Sequence, residues 1–131
     1  MKISTEETAE VLVIHPEGRL DAITAAEFEK EVTPLIQQSG QNVLIDFRKI
    51  DYISSAGLRS MLIIAKGQKQ KGYSLAICCL NETIMEVFRI SGFDTIISIF
   101  PTIEEGVSFL KGFNHLLNGN INAQQRNQKK C

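Results

Sequence analysis

Residues 45–62 read IDFRKIDYISSAGLRSML, and this stretch decides the fold. It begins inside the apolar run 43–47, broken only by Asp46, which is typical of a central strand of a parallel sheet. Residues 48–53 are interpreted as a loop, after which Ser54 and Ser55 open a helix. The apolar face of that helix is formed by Leu58, Met61, Leu62 and Ala65.

The two serines at the start of this helix allow two interpretations. The first turn of a helix has free N–H groups and a partial positive charge, which suit both a capping hydroxyl and a phosphate. Serine is among the most frequent N-cap residues. From spacing alone, a cap by Ser54 or Ser55 is therefore the simpler interpretation, and a phosphorylation site is the alternative.

On the N-terminal side, residues 2–7 and 11–17 predict two short strands, followed by a tight turn at residues 18–21. Thr24 and Glu27 have the spacing of a capping box, which predicts a helix behind them. Pro34 lies inside the apolar pattern of that helix and is expected to kink it or to end its first part near Thr33.

On the C-terminal side, a strand around Cys78 and Cys79 precedes a helix capped by Asn81 and ended at Gly92. Residues 95–100 predict the last strand, and Thr102 opens a final helix. The order is β-β-α-β-α-β-α-β-α. This alternation predicts an α/β fold with a mostly parallel sheet covered by helices.

The length and composition predict one domain with a tail. The chain has 131 residues, 44% of them hydrophobic, which suffices for one core. We expect the domain to cover residues 1–117. Residues 118–131 are polar and rich in amides, so they are predicted to be a disordered tail.

Several classes of function are excluded by composition. The net charge is −1 with mixed signs along the chain, so no basic stripe predicts nucleic-acid binding. The apolar runs are far shorter than a membrane span needs, and residues 1–10 lack the apolar segment of a secretory signal. A cytoplasmic protein is the simplest expectation.

Metal, redox and catalytic motifs are not recognisable either. Cys78 and Cys79 are adjacent and lie in an apolar run, where thiols act as small hydrophobes, and Cys131 follows the polar tail. His15 and His115 do not add a zinc-ligand spacing. Phosphate-binding loops and nucleophile elbows are absent from the sequence. We expect no metal, no cofactor and no enzymatic activity.

Several motifs in the same order resemble a known family. The stretch IDYISSAGLRSML at residues 50–62 resembles the signature of STAS domains of the anti-sigma factor antagonist family. The turn at residues 18–21 resembles that family's Gly-x-Leu-Asp motif. The strand 43–47 and the helix 84–90, followed by Ser-Gly-Phe, match in place and spacing. The resemblance covers about residues 2–115 and implies a single STAS-type domain.

The resemblance also implies a function and a site. Family members bind an anti-sigma factor that is an ATP-using serine kinase, lose affinity when it phosphorylates them, and are reset by a phosphatase. The implied acceptor is Ser55, with Ser54 as the alternative. The implied partner-binding residues around the acceptor are Asp21, Asp46, Ser54, Ala56, Gly57 and Arg59. Asp46 is expected beside the acceptor, and Gly57 is expected to let another backbone approach closely.

Two other readings of the sequence differ in class. One is a STAS interaction module working in another signalling assembly, since a fold does not determine a function. The other is a receiver domain phosphorylated on Asp46 or Asp51. Receivers need an acidic pair after the first strand and a lysine after a late strand, and the chain has neither at those places.

Overall fold

A computed structural model describes residues 1–121 of the chain, with side chains described for residues 1–112. Within that part the elements are β1 Lys2–Thr8, β2 Val11–Leu20, α1 Ala22–Ser39, β3 Asn42–Asp46, β4 Lys49–Ile53, α2 Ser55–Gln70, β5 Leu75–Cys78, α3 Glu82–Ser91, β6 Ser98–Phe100 and α4 Ile103–Ile121. A short 3₁₀ turn at Phe93–Thr95 separates α3 from β6.

The strands form one sheet in the order β1-β2-β3-β5-β6, and β4 pairs with β2 beyond this path. The β1–β2 hairpin is antiparallel, and every other pairing is parallel. The prediction of an α/β fold with a mostly parallel sheet is therefore confirmed. Alternate residues of the inner strands face opposite sides, as the pleat requires.

Each face of the sheet carries its own core. The larger core joins the sheet to α1, α2 and α3, with Phe28, Met61 and Phe88 fully buried. The smaller core joins the other face to α4 through residues such as Leu44 and Leu110. The sheet is thus covered by helices on both sides.

The segment after β3 is where the predicted order was wrong. Residues 49–53 were expected to be part of a loop, but they form β4, which pairs in parallel with the second half of β2. Ile50 and Ile53 are buried, while the three residues around them are exposed. The inward positions are three apart rather than two, so the strand lacks the alternation by which strands are recognised.

The start of α1 also differs from the prediction. The N-cap is Asp21, not Thr24: its carboxylate accepts the N–H groups of Ile23 and Thr24, and the Thr24 hydroxyl accepts the Asp21 N–H. The helix does not end near Thr33, as one alternative for Pro34 predicted, because α1 runs unbroken to Ser39. The buried residues Val32 and Ile36 hold the helix to the core on both sides of the proline.

The C-terminal elements follow the sequence closely. The Asn81 side chain accepts the Ile84 N–H at 2.8 Å and caps α3, which ends at Gly92 in a left-handed conformation. The Thr102 hydroxyl accepts the Glu105 N–H at the start of α4. The last strand is shorter than expected, since it begins at Ser98 rather than Thr95.

The end of the chain is described only in part. Helix α4 continues through Ile121. Residues 122–131 of the predicted tail lie outside the described residues, and the disorder expected of them stays a prediction. None of the helices in the described part is both long and apolar enough to cross a membrane.

Candidate functional site

Two helices begin side by side at one end of the sheet. Strands β2 and β4 run in parallel and finish together, with Leu20 opposite Ile53 in the register. Each strand leads directly into a helix. Asp21 caps α1 and Ser54 caps α2, so the two cap residues occupy the next position after a paired strand end.

Ser54 connects these two strand ends. Its backbone N–H and its hydroxyl both donate to the carbonyl oxygen of Leu20, at 2.9 and 3.0 Å. The same hydroxyl accepts the N–H of Gly57 at 3.2 Å, which completes the N-cap of α2. The Ser54 hydroxyl is therefore engaged both as a donor and as an acceptor.

Ser55 is the first residue of α2 and is exposed. Within the part of the chain that the structure describes, its hydroxyl makes no hydrogen bond. Ala56 is half-buried and Arg59 is exposed on the same helix. Of the two adjacent serines, only Ser55 thus presents an uncommitted hydroxyl to solvent.

Gly57 allows α2 to sit against the end of β2. A Cβ atom at this position would lie 2.7 Å from Cγ1 of Ile53 and 2.8 Å from the carbonyl oxygen of Leu20. Both distances are shorter than side-chain contacts allow. The close backbone approach expected of this glycine is present, and the approaching group is the Leu20 carbonyl.

Asp21 places a negative charge at this end of the sheet. The pKa of its carboxyl lies below the ordinary value, mainly because the Thr24 backbone N–H bonds to the carboxylate, with further hydrogen bonds from the Thr24 hydroxyl and the Ile23 N–H. Asp21 is therefore charged at neutral pH. It lies next to Leu20, the residue to which Ser54 is bound.

Asp46 does not lie beside Ser55, contrary to expectation. The five-residue strand β4 separates them, and at about 3.3 Å per residue this is roughly 16 Å of extended chain. The carboxylate is buried and accepts hydrogen bonds from the Arg48 N–H and guanidinium, and it contacts Nδ1 of His15 at 2.8 Å. The acidic residue that directly follows the strand end shared by Leu20 and Ile53 is Asp21, not Asp46.

The partners of Asp46 determine its charge state. Burial acts to raise the pKa of its carboxyl, but the Arg48 N–H, His15 and the Arg48 guanidinium outweigh burial and hold the pKa below its ordinary value. His15 contacts Glu6 through its other ring nitrogen, at 3.0 Å. Glu6, His15 and Asp46 together therefore connect β1, β2 and β3.

Comparisons with known proteins agree on one family. The model of the STAS domain matches residues 2–106. BtrV of Bordetella bronchiseptica, a candidate anti-sigma factor antagonist, is 36% identical over 77% of this chain and 84% of its own. The anti-sigma-B factor antagonist of Bacillus subtilis is 31% identical over 69% of this chain and 82% of its own.

This chain is a STAS domain of the anti-sigma factor antagonist family.

Solved structures share the fold. A candidate anti-sigma factor antagonist from Thermotoga maritima superposes with a TM-score of 0.77 at 22% identity, covering 83% of this chain and 94% of that one. SpoIIAA of Bacillus in its phosphorylated form gives a TM-score of 0.62 at 20% identity, covering 82% and 97%. The expectations of a STAS domain and of a regulatory protein rather than an enzyme are confirmed.

Two features of this STAS domain, both at the end of the sheet where α1 and α2 begin, could not be seen in its motifs. The first is the backbone carbonyl of Leu20, which accepts both hydrogen bonds from Ser54. The apolar side chain of Leu20 does not indicate this role. The second is a cation–π contact, in which the Arg19 guanidinium lies 4.3 Å from the centre of the Tyr52 ring. Arg19 and Tyr52 are opposite each other in the β2–β4 register, beyond the shift between Gly18 and Arg19.

Proposed function

We propose that this STAS domain acts as an anti-sigma factor antagonist whose binding to an anti-sigma factor serine kinase is ended by phosphorylation of Ser55. A phosphatase then removes the phosphate and resets the protein. The observation that carries the proposal is the exposed, uncommitted Ser55 hydroxyl at the first position of α2. The relatives that are anti-sigma factor antagonists supply the class of partner.

The geometry supports Ser55 over Ser54 as the acceptor. To accept a phosphate, Ser54 would have to give up its bonds to Leu20 and Gly57 and thereby lose the cap of α2. A phosphate on Ser55 disturbs neither bond. The partial positive charge at the start of a helix stabilises a phosphate there. The same helix start therefore presents Ser55 and tolerates its modification.

The surface around Ser55 is suited to a protein partner. Ile23, on the first turn of α1, is 72% exposed, and Tyr52, at the end of β4, is 41% exposed. Arg19 and Arg59 add positive charge and Asp21 adds negative charge. Exposed apolar and aromatic side chains mixed with charges are typical of protein interfaces.

Phosphorylation would change the charge of this surface. A phosphate adds about −1.5 to −2 charges at neutral pH. Asp21 already carries a negative charge at the neighbouring helix start. The modified surface would repel an acidic partner surface and would leave apolar partner groups facing a hydrated dianion. Release of the partner follows from this change in charge and hydration, and the fold stays intact.

A phosphorylation assay tests the proposal. The full chain is incubated with purified anti-sigma factor from the same organism and ATP, and the product is analysed by intact mass and by peptide fragmentation. We expect one phosphate, on Ser55, and tight binding of the unmodified chain to the kinase. Ser55→Ala should bind the kinase and stay unmodified.

Two results would contradict the proposal. One is a phosphate on Ser54 in the wild-type chain, which would show that the cap serine is released for the reaction. The other is equal affinity of the kinase for the phosphorylated and unphosphorylated chains, measured by calorimetric titration. Ser55→Asp is the matched variant for binding and should bind more weakly than wild type, although one carboxylate imitates a dianion incompletely.

A further inference from the structure

Three side chains with metal-binding atoms meet at the carboxyl ends of β3 and β5, away from Ser55. Asp46 and Cys78 are opposite each other in the register of these parallel strands, and Cys79 follows directly. One carboxylate oxygen and the two Sγ atoms all lie within 4.8 Å of one another. Asp46 and Cys78 are 32 residues apart, so the sequence alone does not show them as a metal-ligand motif.

The backbone of Cys79 makes this arrangement possible. In a regular strand, neighbouring side chains point to opposite faces of the sheet, which would separate the two thiols. Cys79 has a φ of 64°, in the left-handed region that residues with a side chain seldom adopt. Its N–H donates to the Phe100 carbonyl at 3.1 Å, and this bond holds the turn. Strained backbone of this kind is concentrated at functional sites.

We propose that Asp46, Cys78 and Cys79 bind a thiophilic divalent cation, and the chemistry of these ligands indicates Zn²⁺. Two thiolates and a carboxylate are ligands that zinc accepts, and three protein ligands leave a fourth tetrahedral position for water. On binding, the two S–H bonds break, two metal–sulfur bonds form, and both protons leave to solvent. No electrons are transferred.

The charges of the site support a divalent ion. Two thiolates and one carboxylate carry three negative charges. The cation and the guanidinium of Arg48, whose Nη2 lies 2.9 Å from Asp46 Oδ2, balance them. Since an uncompensated buried charge is costly, this neutrality favours a divalent over a monovalent cation. Without the cation, the thiols are neutral and Asp46 is paired with Arg48.

The groups around Asp46 are arranged as supporting contacts. The Arg48 N–H donates to Oδ1 at 2.9 Å, and Nδ1 of His15 lies 2.8 Å from Oδ2. Such contacts fix the orientation of a ligating carboxylate. A pocket of about 180 Å³ is lined in part by His15, Asp46 and Arg48, and neither cysteine lines it. Cys79 is half-buried whereas Cys78 is fully buried, so an ion would enter the site past Cys79.

Titration with Co²⁺, a spectroscopic substitute for Zn²⁺, tests the site. The full chain is reduced with a phosphine, freed of metal and titrated while its absorption is recorded. We expect saturation at one Co²⁺ per chain, with the charge-transfer absorption of two thiolates and the visible bands of tetrahedral cobalt. Addition of Zn²⁺ should abolish the spectrum. Absence of the thiolate absorption would overturn the proposal.

Two cysteine variants make the result specific. Cys79→Gly removes one thiol and suits the positive φ, so the variant should fold, and it should bind Co²⁺ about 100-fold more weakly or worse. Cys131→Ser removes the third thiol of the chain and should leave both the spectrum and the affinity unchanged. A spectrum that survives in Cys79→Gly, or that is lost in Cys131→Ser, would show that the metal binds elsewhere.

Discussion

Ser54 is bound to Leu20 through a single carbonyl oxygen, which accepts both the N–H and the hydroxyl of Ser54 at 2.9 and 3.0 Å. Because the hydroxyl also accepts the Gly57 N–H, one serine joins the end of β2 to the start of α2. The neighbouring Ser55 takes no part in this link. The two serines therefore differ: Ser54 holds the start of α2, and Ser55 is exposed with a hydroxyl that is free within the described part of the chain.

Replacing Ser54 by alanine should destabilise the fold. Loss of an N-cap costs about 0.5–2 kcal/mol, and the variant also loses the hydroxyl bond to Leu20, so we expect about 1–2 kcal/mol in the free energy of unfolding. Urea denaturation followed by circular dichroism measures it. Ser55→Ala, one residue along, is the matched control and should change the same quantity by less than about 0.5 kcal/mol. Equal losses would contradict the division of roles.

Replacing Gly57 by alanine should also destabilise the fold, although helix propensity alone predicts the opposite. The new Cβ would lie 2.7 Å from Ile53 Cγ1 and 2.8 Å from the Leu20 carbonyl oxygen. Overpacking of this kind costs about 1–3 kcal/mol, and valine should cost more. Thermal and urea unfolding of both variants measure the effect.

Gly67 provides the control for Gly57 within the same helix. A Cβ added at Gly67 meets nothing within 4 Å. Gly67→Ala should therefore raise the free energy of unfolding by up to about 1 kcal/mol, since only helix propensity changes. If Gly57→Ala were stabilising to the same extent, α2 would not be packed against the end of β2 as described.

Protonation of Asp46 should lower the free energy of unfolding at acid pH. Its pKa is lower in the folded chain than in the unfolded chain, where it is about 3.9. The resulting stabilisation is present above that pH and is lost as the pH falls through the folded-state pKa. We expect Asp46→Asn to cost about 1–3 kcal/mol at pH 7, because the amide removes the charge paired with Arg48 and replaces one acceptor oxygen by an NH₂ donor.

The test of Asp46 is a comparison across pH. The difference in unfolding free energy between wild type and Asp46→Asn should shrink as the pH is lowered from about 5 to about 3. Asp51→Asn, at an exposed position of β4, is the control and should stay within about 0.5 kcal/mol of wild type at pH 7. A difference for Asp46→Asn that is constant with pH would mean that its ion pairing does not stabilise the fold.

Replacing Pro34 by alanine should stabilise α1. Proline inside a helix removes one backbone hydrogen bond and crowds the preceding turn, yet α1 continues through this exposed position. We expect a gain of about 1–3 kcal/mol in unfolding free energy. Gln38→Ala, at another exposed position of the same helix, should change it by less than about 0.5 kcal/mol. A loss of stability in Pro34→Ala would show that the proline is favoured by its surroundings.

The helices and the parallel sheet could be predicted because their signals are local. The apolar run 43–47, the Asn81 cap and the glycine at position 92 each act within a few residues of chain. Strand β4 was missed because its register with β2 shifts between Gly18 and Arg19, which breaks the alternation of Ile50 and Ile53. A register shift is a property of two strands together, and one strand's sequence does not reveal it.

The geometry of the proposed acceptor site was predictable in part for the same reason. Ser54, Ser55 and Gly57 are close in sequence, and their order along the helix determines their geometry. Asp46 was misplaced because the chain beyond β3 continues along β2 as β4, which puts a strand length between Asp46 and the start of α2. The Leu20 carbonyl was not predictable, since a backbone oxygen acquires its partners only when two strand ends meet.

The separate roles of Ser54 and Ser55 have a consequence for the level of the protein in the cell. Degradation depends on how often a protein unfolds, so a modification that weakened the fold would also reduce its amount. A phosphate on Ser55 leaves the bonds of Ser54 to Leu20 and Gly57 in place. The modified and unmodified chains would then be degraded at the same rate, and a cycle of phosphorylation could change how much antagonist is active without changing how much is present.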